Sequence, residues 1–360
     1  MSAPPYRAAD LPPLDYSSQA AFLAGAAAWI ERALPRYLPD GEPRDFLYAL
    51  AADYPARGGK RFRPALLLLS AALAQGDPAL ALPSACALEL FQNFALVHDD
   101  IEDGSLVRRG RPALHRLAGV PLALNAGDLL FGLVYEALLD NEALLGAARA
   151  LEIQREFARV FRRTFEGQAL DIGWIRSNHL PDRAEFQTMI RLKTGWYSGR
   201  GPCRIGAMIG AAPPATVEAL GDYGERLGIG FQLRDDLLNL APDSAGLAPG
   251  VLSGGYGKER GGDIAEGKRT LIVIELMERL PPQEGARARE ILTRPPERTS
   301  EADVAWVIAA AERTGALAAV RSRCQQLSAE ARAALAGLPP SPQRALLEEM
   351  ARYLMLDRTA

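Results

Sequence analysis

The chain has 360 residues, of which 48% are hydrophobic and 24% charged, and its formal net charge is −3. This charge balance does not indicate a nucleic-acid-binding surface. Three cysteines, Cys86, Cys203 and Cys324, lie far apart without a CxxC or Cys/His pattern, which argues against a zinc site or a disulfide framework and for a reducing compartment.

The chain opens with a Pro-rich stretch, residues 1–15, which we expect to be a mobile arm. We expect residues 16–360 to form a single all-helical domain, because alanine and leucine dominate and β-branched residues are sparse. No basic-then-apolar leader and no apolar run long enough to span a bilayer is found, which predicts a cytoplasmic protein without membrane insertion.

Apolar periodicity predicts a series of helices and no strand of any strength. The predicted helices cover about 18–34, 46–53, 64–75, 83–103, 122–139, 143–172, 182–211, 215–240, 268–279, 284–293, 301–314, 316–336 and 341–355. A long loop at 241–266 is rich in Gly, Ser and Pro and carries Lys258. Loops of this length in compact domains are usually functional.

A glycine turn with two cations, GGKRFRP, precedes the third predicted helix. Gly59, Lys60 and Arg63 lie where a helix begins, and a helix start with cations nearby is suited to binding an anion. The same residues are also consistent with an ordinary helix start on a basic surface, and the stretch alone does not decide between the two.

An acid cluster, DDIED, ends the next helix and is followed by Arg108 and Arg109. Asp99 and Asp103 are four residues apart and share one helical face, with Asp100 beside them. Carboxylates this close repel one another, and a hard divalent ion such as Mg²⁺ would relieve that repulsion while bridging to substrate phosphates. The alternative is a solvated acidic helix end followed by a basic loop.

A second acidic helix, FQLRDDLLNL, repeats the pattern with polar residues at i, i+3, i+4 and i+7: Gln232, Asp235, Asp236 and Asn239. Lys268 follows in a Gly-rich segment. Between the two acidic helices, Gln168 shares a helical face with Asp171, and RLKTGW carries Lys193 and Thr194. Taken alone, these middle residues are equally typical of buried hydrogen-bonded pairs.

Together these motifs resemble those of the trans-isoprenyl diphosphate synthases (polyprenyl synthetases), most closely those that make geranylgeranyl diphosphate. The resemblance covers about residues 54–276 and five motifs in the family's order: GGKRFRP, DDIED with RRG, GQALD, KTGW, and FQLRDDLLN with EGKRT. It implies an all-α fold, a single large helical bundle around a central cavity with two facing acid-rich helices.

The resemblance also implies a role for each motif residue. Isopentenyl diphosphate would contact Gly59, Lys60, Arg63, Gln92 and Arg109. The allylic diphosphate would contact Arg108, Lys193 and Lys258. Gln168 would line the cavity near the allylic substrate, Thr194 would face the developing cation, and Gln232 and Lys268 would also bind substrate. The metal would be Mg²⁺, with Mn²⁺ as the alternative, and the resemblance implies three ions when substrate is bound. These ions would be held by Asp99, Asp100, Asp103, Asp235, Asp236 and Asn239. The residues expected to act when the allylic diphosphate ionises are Asp99, Asp103, Arg108, Lys193, Asp235 and Lys258.

One position departs from the family pattern, because the second acid motif commonly ends in Asp and here ends in Asn239. An amide oxygen can still accept but adds no charge, so metal binding at that corner is expected to be weaker. Some geranylgeranyl diphosphate synthases share this substitution, so activity is still expected.

Product length is interpreted from the helix that precedes Asp99. Ala95 lies about 6 Å and Phe91 about 12 Å below Asp99 on an ideal helix, while Phe94 matches the family's main length-controlling position. Short-product enzymes typically have bulky residues at both positions below the motif, and here one is the small Ala95. The resemblance therefore favours the twenty-carbon product over farnesyl diphosphate or a longer chain.

Two other classes of protein fit these motifs less well. A non-catalytic subunit of a heteromeric synthase would leave the motifs free to drift, yet all but Asn239 match. A terpenoid cyclase would lack the residues that bind isopentenyl diphosphate.

The family also implies a homodimer, and the stretch 122–139 is apolar on more than one face, as expected of a helix buried on both sides. The alternative is a central core helix within one subunit.

Overall fold

The structure is a computed structural model that describes residues 11–240, 261–295 and 298–358. The described residues are almost entirely helical, which confirms the all-α prediction. Two short antiparallel strands form a hairpin, β1 Val107–Arg108 and β2 Arg111–Pro112. The expectation of no strand was therefore wrong at this one turn.

Sixteen α-helices are found among the described residues, interrupted by short 3₁₀ and π segments. The first eight are α1 Gln19–Ala33, α2 Ala49–Ala56, α3 Phe62–Leu73, α4 Leu82–Glu102, α5 Leu114–Ala118, α6 Val120–Leu145, α7 Ala147–Arg176 and α8 Arg183–Ile190. The others are α9 Gly201–Ile209, α10 Pro214–Leu240, α11 Gly262–Ala265, α12 Leu271–Arg279, α13 Pro282–Thr293, α14 Glu301–Arg313, α15 Ala316–Ala334 and α16 Pro342–Arg352. The 3₁₀ segments are Leu34–Tyr37 and Pro78–Ala81, and the π-helices are Arg44–Tyr48, Arg191–Arg200 and Tyr353–Asp357.

The helix predictions differ from the structure at several places, and the short helix α5 was not predicted. The predicted helix 182–211 consists of α8, the π-helix Arg191–Arg200 and α9. Gly146, with φ of 79°, separates α6 from α7, so the first ends later and the second begins later than expected. The predicted loop 241–266 contains the short helix α11, while its part 241–260 lies outside the described residues, as does the arm up to residue 10.

Contacts between Cα atoms divide the chain into two compact units. Unit 1 comprises Met1–Phe161, Tyr197–Gly224 and Arg332–Met350, and unit 2 comprises Arg162–Trp196, Glu225–Ala331 and Ala351–Ala360. The single domain expected for 16–360 stays a prediction.

The core of unit 1 is built on α3, α4, α6 and α9, with α4 packed along α6 and α3 packed against α9. The α3–α9 contact depends on Gly206, because a Cβ there would lie 2.2 Å from the carbonyl oxygen of Leu67. Leu66, Leu67, Leu68 and Leu69 of α3 are fully buried in this core.

The core of unit 2 surrounds α12, which packs against α8, α13 and α14. The π-helix Arg191–Arg200 begins in this unit and approaches α7 closely at Gly167, where a Cβ would lie 2.2 Å from the backbone nitrogen of Lys193. π-Helical turns are frequently found at functional sites. The glycine of the GQALD motif is therefore explained by this close approach.

Two described segments, Pro78–Glu102 and Val120–Leu145, have the length and apolar composition of a membrane span. The best window of the first is 83% buried within the protein and that of the second 44%. Core helices of globular proteins often have the same length and composition.

Candidate active site

The first acid motif lies at the C-terminal end of α4, in unit 1. The backbone N–H of Asp103 donates to the carbonyl oxygen of Asp99 at 2.8 Å, so the helical turn continues through the motif. Asp99 and Asp103 are both partly exposed and stand one turn apart on the same face. The structure thus presents the predicted pair of carboxylates on one side of the helix end.

Asp100 has a different environment from its two neighbours, because it is fully buried. Arg108 Nε donates to its Oδ1 at 3.0 Å and Oδ2 at 3.1 Å, and Arg108 Nη2 also donates to Oδ1. The Tyr54 hydroxyl donates to Oδ2 at 2.5 Å. Both oxygens of Asp100 therefore accept from protein donors, and the structure places this acid with Arg108.

The two arginines that follow the motif lie on the β1–β2 hairpin. Its turn residues, Arg109 and Gly110, both have positive φ (52° and 74°), as a two-residue type I′ hairpin turn requires. Arg109 Nη1 donates to the carbonyl oxygens of Gly58 and, at 3.0 Å, of Tyr54. Burial lowers the pKa of the Arg109 guanidinium.

The glycine turn before α3 lies against this arginine. A Cβ on Gly59 would meet the Arg109 guanidinium at 3.0 Å, so the glycine leaves room for it. The structure thereby brings together Gly59, Lys60 and Arg109, which are about 50 residues apart in the chain. Lys60, which directly follows Gly59, is exposed.

Two residues beneath the turn were missed from the sequence. Arg61 has a left-handed backbone (φ 45°), is buried, and donates from Nη1 to Glu89 Oε1 at 2.5 Å and from Nη2 to the Pro55 carbonyl at 2.7 Å. Glu89 in turn accepts from Asn93 Nδ2 at 3.2 Å. The one signal in the sequence was a charged Glu89 within the apolar run CALELF.

Arg63 and Gln92 are placed within unit 1 by different neighbours. Arg63 donates from Nη2 to the Tyr197 hydroxyl and the Ser198 hydroxyl, both at 2.8 Å, and its guanidinium lies 4.4 Å from the centre of the Tyr197 ring. Gln92 is buried, and its Oε1 has no hydrogen-bond partner among the described residues. A buried polar atom without a partner is a feature of ligand sites as well as of strained cores.

The residues proposed to limit product length belong to an aromatic cluster in unit 1. Phe91, fully buried, has its ring centre 4.5 Å from that of Phe161 and 5.6 Å from that of Phe94. Phe94 also packs 5.0 Å from Phe131. Ala95 is partly exposed beside this cluster.

In unit 2, Lys193 and Asp171 form an ion pair with Nζ 2.5 Å from Oδ2. Asp171 is the last residue of GQALD and Lys193 lies in KTGW, so the structure joins two predicted motifs. Thr194 is buried beside them, and Gln168 is partly exposed on α7. From the sequence, Asp171 was considered only as the partner of Gln168, and the structure adds its ion pair with Lys193.

The second acid motif lies near the C-terminal end of α10, also in unit 2. Asp236 is buried and accepts from Gln232 Nε2 at 2.9 Å. Burial, together with the nearby carboxylates of Asp263 and Asp235, raises the pKa of Asp236. A cation close to these acids would favour the ionised form.

Asn239, the departure from the family pattern, holds the start of α11. Its side-chain oxygen accepts from the backbone N–H of Asp263 at 3.3 Å. Its main-chain carbonyl oxygen accepts from the backbone N–H of Gly261 at 2.9 Å. Asp236, Asp263 and Lys268 line one small cavity with Thr270 and apolar residues. Asp263 is therefore a further acidic residue of this site. Lys258, expected in the same site, lies outside the described residues.

Arg358, near the C-terminus, contacts the second acid motif and was not predicted. Its Nη1 lies 2.6 Å from Asp235 Oδ1, its guanidinium lies 4.7 Å from the centre of the Phe231 ring, and it is buried. Its carbonyl oxygen accepts from Arg234 Nε at 2.9 Å. No periodic pattern in the sequence points to this contact.

Within each unit, the paired acids have the ligand chemistry of a magnesium site that is completed by substrate. Among the described residues, no group of three His, Cys, Asp or Glu side chains is arranged to hold a metal ion unaided. Mg²⁺ usually binds through one or two carboxylates plus substrate phosphates and water, rather than within an all-protein cage. Asp99 and Asp103 in unit 1, and Asp235 and Asp236 in unit 2, supply such oxygen ligands in pairs.

Comparisons with known proteins agree with this chemistry. A family model described as polyprenyl synthetase matches residues 44–310. The chain is 35% identical over 326 residues to a geranylgeranyl pyrophosphate synthase of Geoglobus acetivorans, covering 91% of this chain and 94% of that protein. It is 32% identical over 342 residues to a geranylfarnesyl diphosphate synthase of Natronomonas pharaonis, with the same two coverages. The crystal structure of geranylgeranyl pyrophosphate synthetase from Pyrococcus horikoshii superposes with a TM-score of 0.84 at 32% identity, covering 94% of this chain and 98% of that one.

Proposed function

The chain belongs to the polyprenyl synthetase family, as its motifs predicted, and on this premise we propose that it is a Mg²⁺-dependent trans-prenyltransferase. It condenses isopentenyl diphosphate with an allylic diphosphate, and its main product is geranylgeranyl diphosphate. The observation that carries the proposal is that Asp99 and Asp103 share one face at the end of α4, directly before the hairpin that carries Arg108 and Arg109.

The allylic diphosphate is held by cations whose side chains are already oriented. Arg108 is fixed by buried Asp100, and Lys193 is fixed by Asp171. When bound, magnesium ions would neutralise the negative charge that develops on the departing diphosphate. Asp99, Asp103, Asp235 and Asp236 would hold those ions, with Asn239 contributing an uncharged oxygen.

Isopentenyl diphosphate is held by a separate set of residues in unit 1. Lys60, Arg63 and Arg109 have the positive charges, and Gln92 the amide N–H donors, that a diphosphate requires. The allylic cation formed by carbon–oxygen cleavage is attacked by the double bond of isopentenyl diphosphate. This double bond is the nucleophile and the released diphosphate takes the proton that is then lost, so the reaction requires neither a protein nucleophile nor a protein base.

The twenty-carbon product follows from the small Ala95 one turn below Asp99, above the buried rings of Phe91 and Phe94. A second candidate is a longer product of the geranylfarnesyl class, because one relative of similar coverage carries that name. Incubating the purified protein with isopentenyl diphosphate and each allylic primer, with and without Mg²⁺, tests both. Mg²⁺-dependent geranylgeranyl diphosphate is expected, a twenty-five-carbon product would favour the second candidate, and no consumption of either substrate would refute the proposal.

We further propose that the protein is a cytoplasmic homodimer joined through α6. Leu124, Tyr135 and Leu139 of α6 are large apolar residues that are exposed in the single chain, at 42%, 42% and 65%. Exposed apolar patches commonly mark protein interfaces. Sedimentation should show a dimer at micromolar concentration. Leu139→Asp should shift it to monomer and Glu136→Gln, on the same helix, should not, and a monomeric wild type would refute the dimer.

A further inference from the structure

One buried hydroxyl outside the predicted site joins three segments around Asp100. Tyr54 of α2 is 1% exposed, and its hydroxyl donates to Asp100 Oδ2 at 2.5 Å. The same hydroxyl accepts from the backbone N–H of Leu114 at 3.0 Å. Leu114 begins α5, just after the hairpin that carries Arg108 and Arg109. A single oxygen atom therefore connects α2, the end of α4 and the C-terminal side of the arginine hairpin.

The Asp100 carboxylate is held from two sides by these contacts. Arg108 Nε bridges its two oxygens at 3.0 and 3.1 Å, and Tyr54 donates to the Oδ2 oxygen. With all these contacts made, the carboxylate has little freedom to rotate, and neither has the guanidinium of Arg108.

We propose that Tyr54 is a positioning residue whose hydroxyl orients the Asp100–Arg108 pair toward the allylic diphosphate. The inference rests on the proposed function, in which Arg108 contacts that substrate. The two arginines depend on different atoms of Tyr54, because Arg109 Nη1 donates to its main-chain carbonyl oxygen at 3.0 Å. Removing the hydroxyl alone should therefore disturb Arg108 and leave Arg109, with its isopentenyl diphosphate role, in place.

Tyr54→Phe provides this test, because it retains the ring over which the Arg57 guanidinium lies at 4.6 Å. A hydrogen bond to a charged group is commonly worth enough to change binding about tenfold or more. We expect KM for farnesyl diphosphate to rise by about that factor while KM for isopentenyl diphosphate changes less than about twofold. Calorimetric binding of farnesyl thiodiphosphate with Mg²⁺, which needs no turnover, should weaken by the same factor.

Tyr37→Phe is the matched control. The Tyr37 hydroxyl is also buried and donates to a carboxylate, Asp140 Oδ2, at 2.8 Å, but away from the motifs. This control should change neither KM. Equal rises for both substrates in Tyr54→Phe, or the same selective rise in Tyr37→Phe, would overturn the proposal.

A double variant shows whether Tyr54 acts through Asp100. If it does, Tyr54→Phe combined with Asp100→Asn should weaken thiodiphosphate binding no more than Asp100→Asn alone, and additive losses would overturn the proposal. Should thermal unfolding show that Tyr54→Phe does not fold, Asp100→Asn alone must give the same allylic-selective rise. A wild type that makes no prenyl product refutes the proposed function, whereas an active wild type without the substrate-selective change refutes only the role of Tyr54.

Discussion

Replacing Ala95 with Phe should shorten the main product from twenty to fifteen carbons. Ala95 lies one turn below Asp99, so the new ring would stand about 6 Å along the helix axis from the first carboxylate of the acid motif. Because Ala95 is partly exposed while Phe91 and Phe94 beside it are buried, the ring has solvent-facing space to enter. We expect a stability loss below about 1 kcal/mol, at the lower limit for overpacking.

The assay is chromatography of the prenyl products, dephosphorylated after reaction with farnesyl and geranyl diphosphate as primers, together with thermal unfolding of each variant. Leu96→Phe is the matched control, since it adds a ring at the next residue, about 100° round the helix. It should leave the product unchanged. If Ala95→Phe remains active and still makes mainly the twenty-carbon product, the prenyl tail does not run along this face of α4.

The opposite change opens space at Phe91, and it requires a less drastic substitution than Phe91→Ala. The Phe91 ring is fully buried and packs against Phe161, Phe94 and Phe131, so Phe91→Ala should cost about 3–5 kcal/mol. That loss would be a large part of the stability of an ordinary domain. Phe91→Leu retains part of the packing, and a longer product from a folded Phe91→Leu variant would identify the ring as the floor of the cavity.

Three further predictions concern the charged groups. Asp99→Ala, and chelation of the wild type, should each lower turnover by about a hundredfold or more, because charge on the departing diphosphate is no longer neutralised; unchanged turnover in either would contradict the metal assignment. Lys60→Ala should raise KM for isopentenyl diphosphate more than KM for the allylic substrate in steady-state kinetics, and equal effects would contradict the division into two sites. Arg358→Gln should tighten Mn²⁺ binding, followed by electron paramagnetic resonance, by about tenfold, because a guanidinium 2.6 Å from Asp235 competes with the ion. Arg352→Gln, an exposed arginine of the same segment, is its control, and equal affinities for both variants would refute the competition.

Residues within one helix were predicted best, because helical periodicity fixes which side chains share a face. Asp99 and Asp103 were placed correctly on one face for this reason. The contacts of Tyr54 with Asp100, 46 residues away, and of Arg61 with Glu89, 28 residues away, depend on how helices pack, which periodicity does not encode. The π-helix Arg191–Arg200 was likewise missed, because its apolar pattern differs little from that of an α-helix and its cause is the close approach to Gly167.

The pairing of the cations with carboxylates suggests why such a site would depend strongly on metal ions. Arg108 is bound to Asp100 and Lys193 to Asp171, so each of these two cations already has a negative partner. These ion pairs orient the donors, but they also cancel much of the positive charge that would attract a diphosphate. If the proposed function is correct, these two ion pairs orient the donors with little net positive charge, and bound metal ions would supply the charge that stabilises the leaving diphosphate.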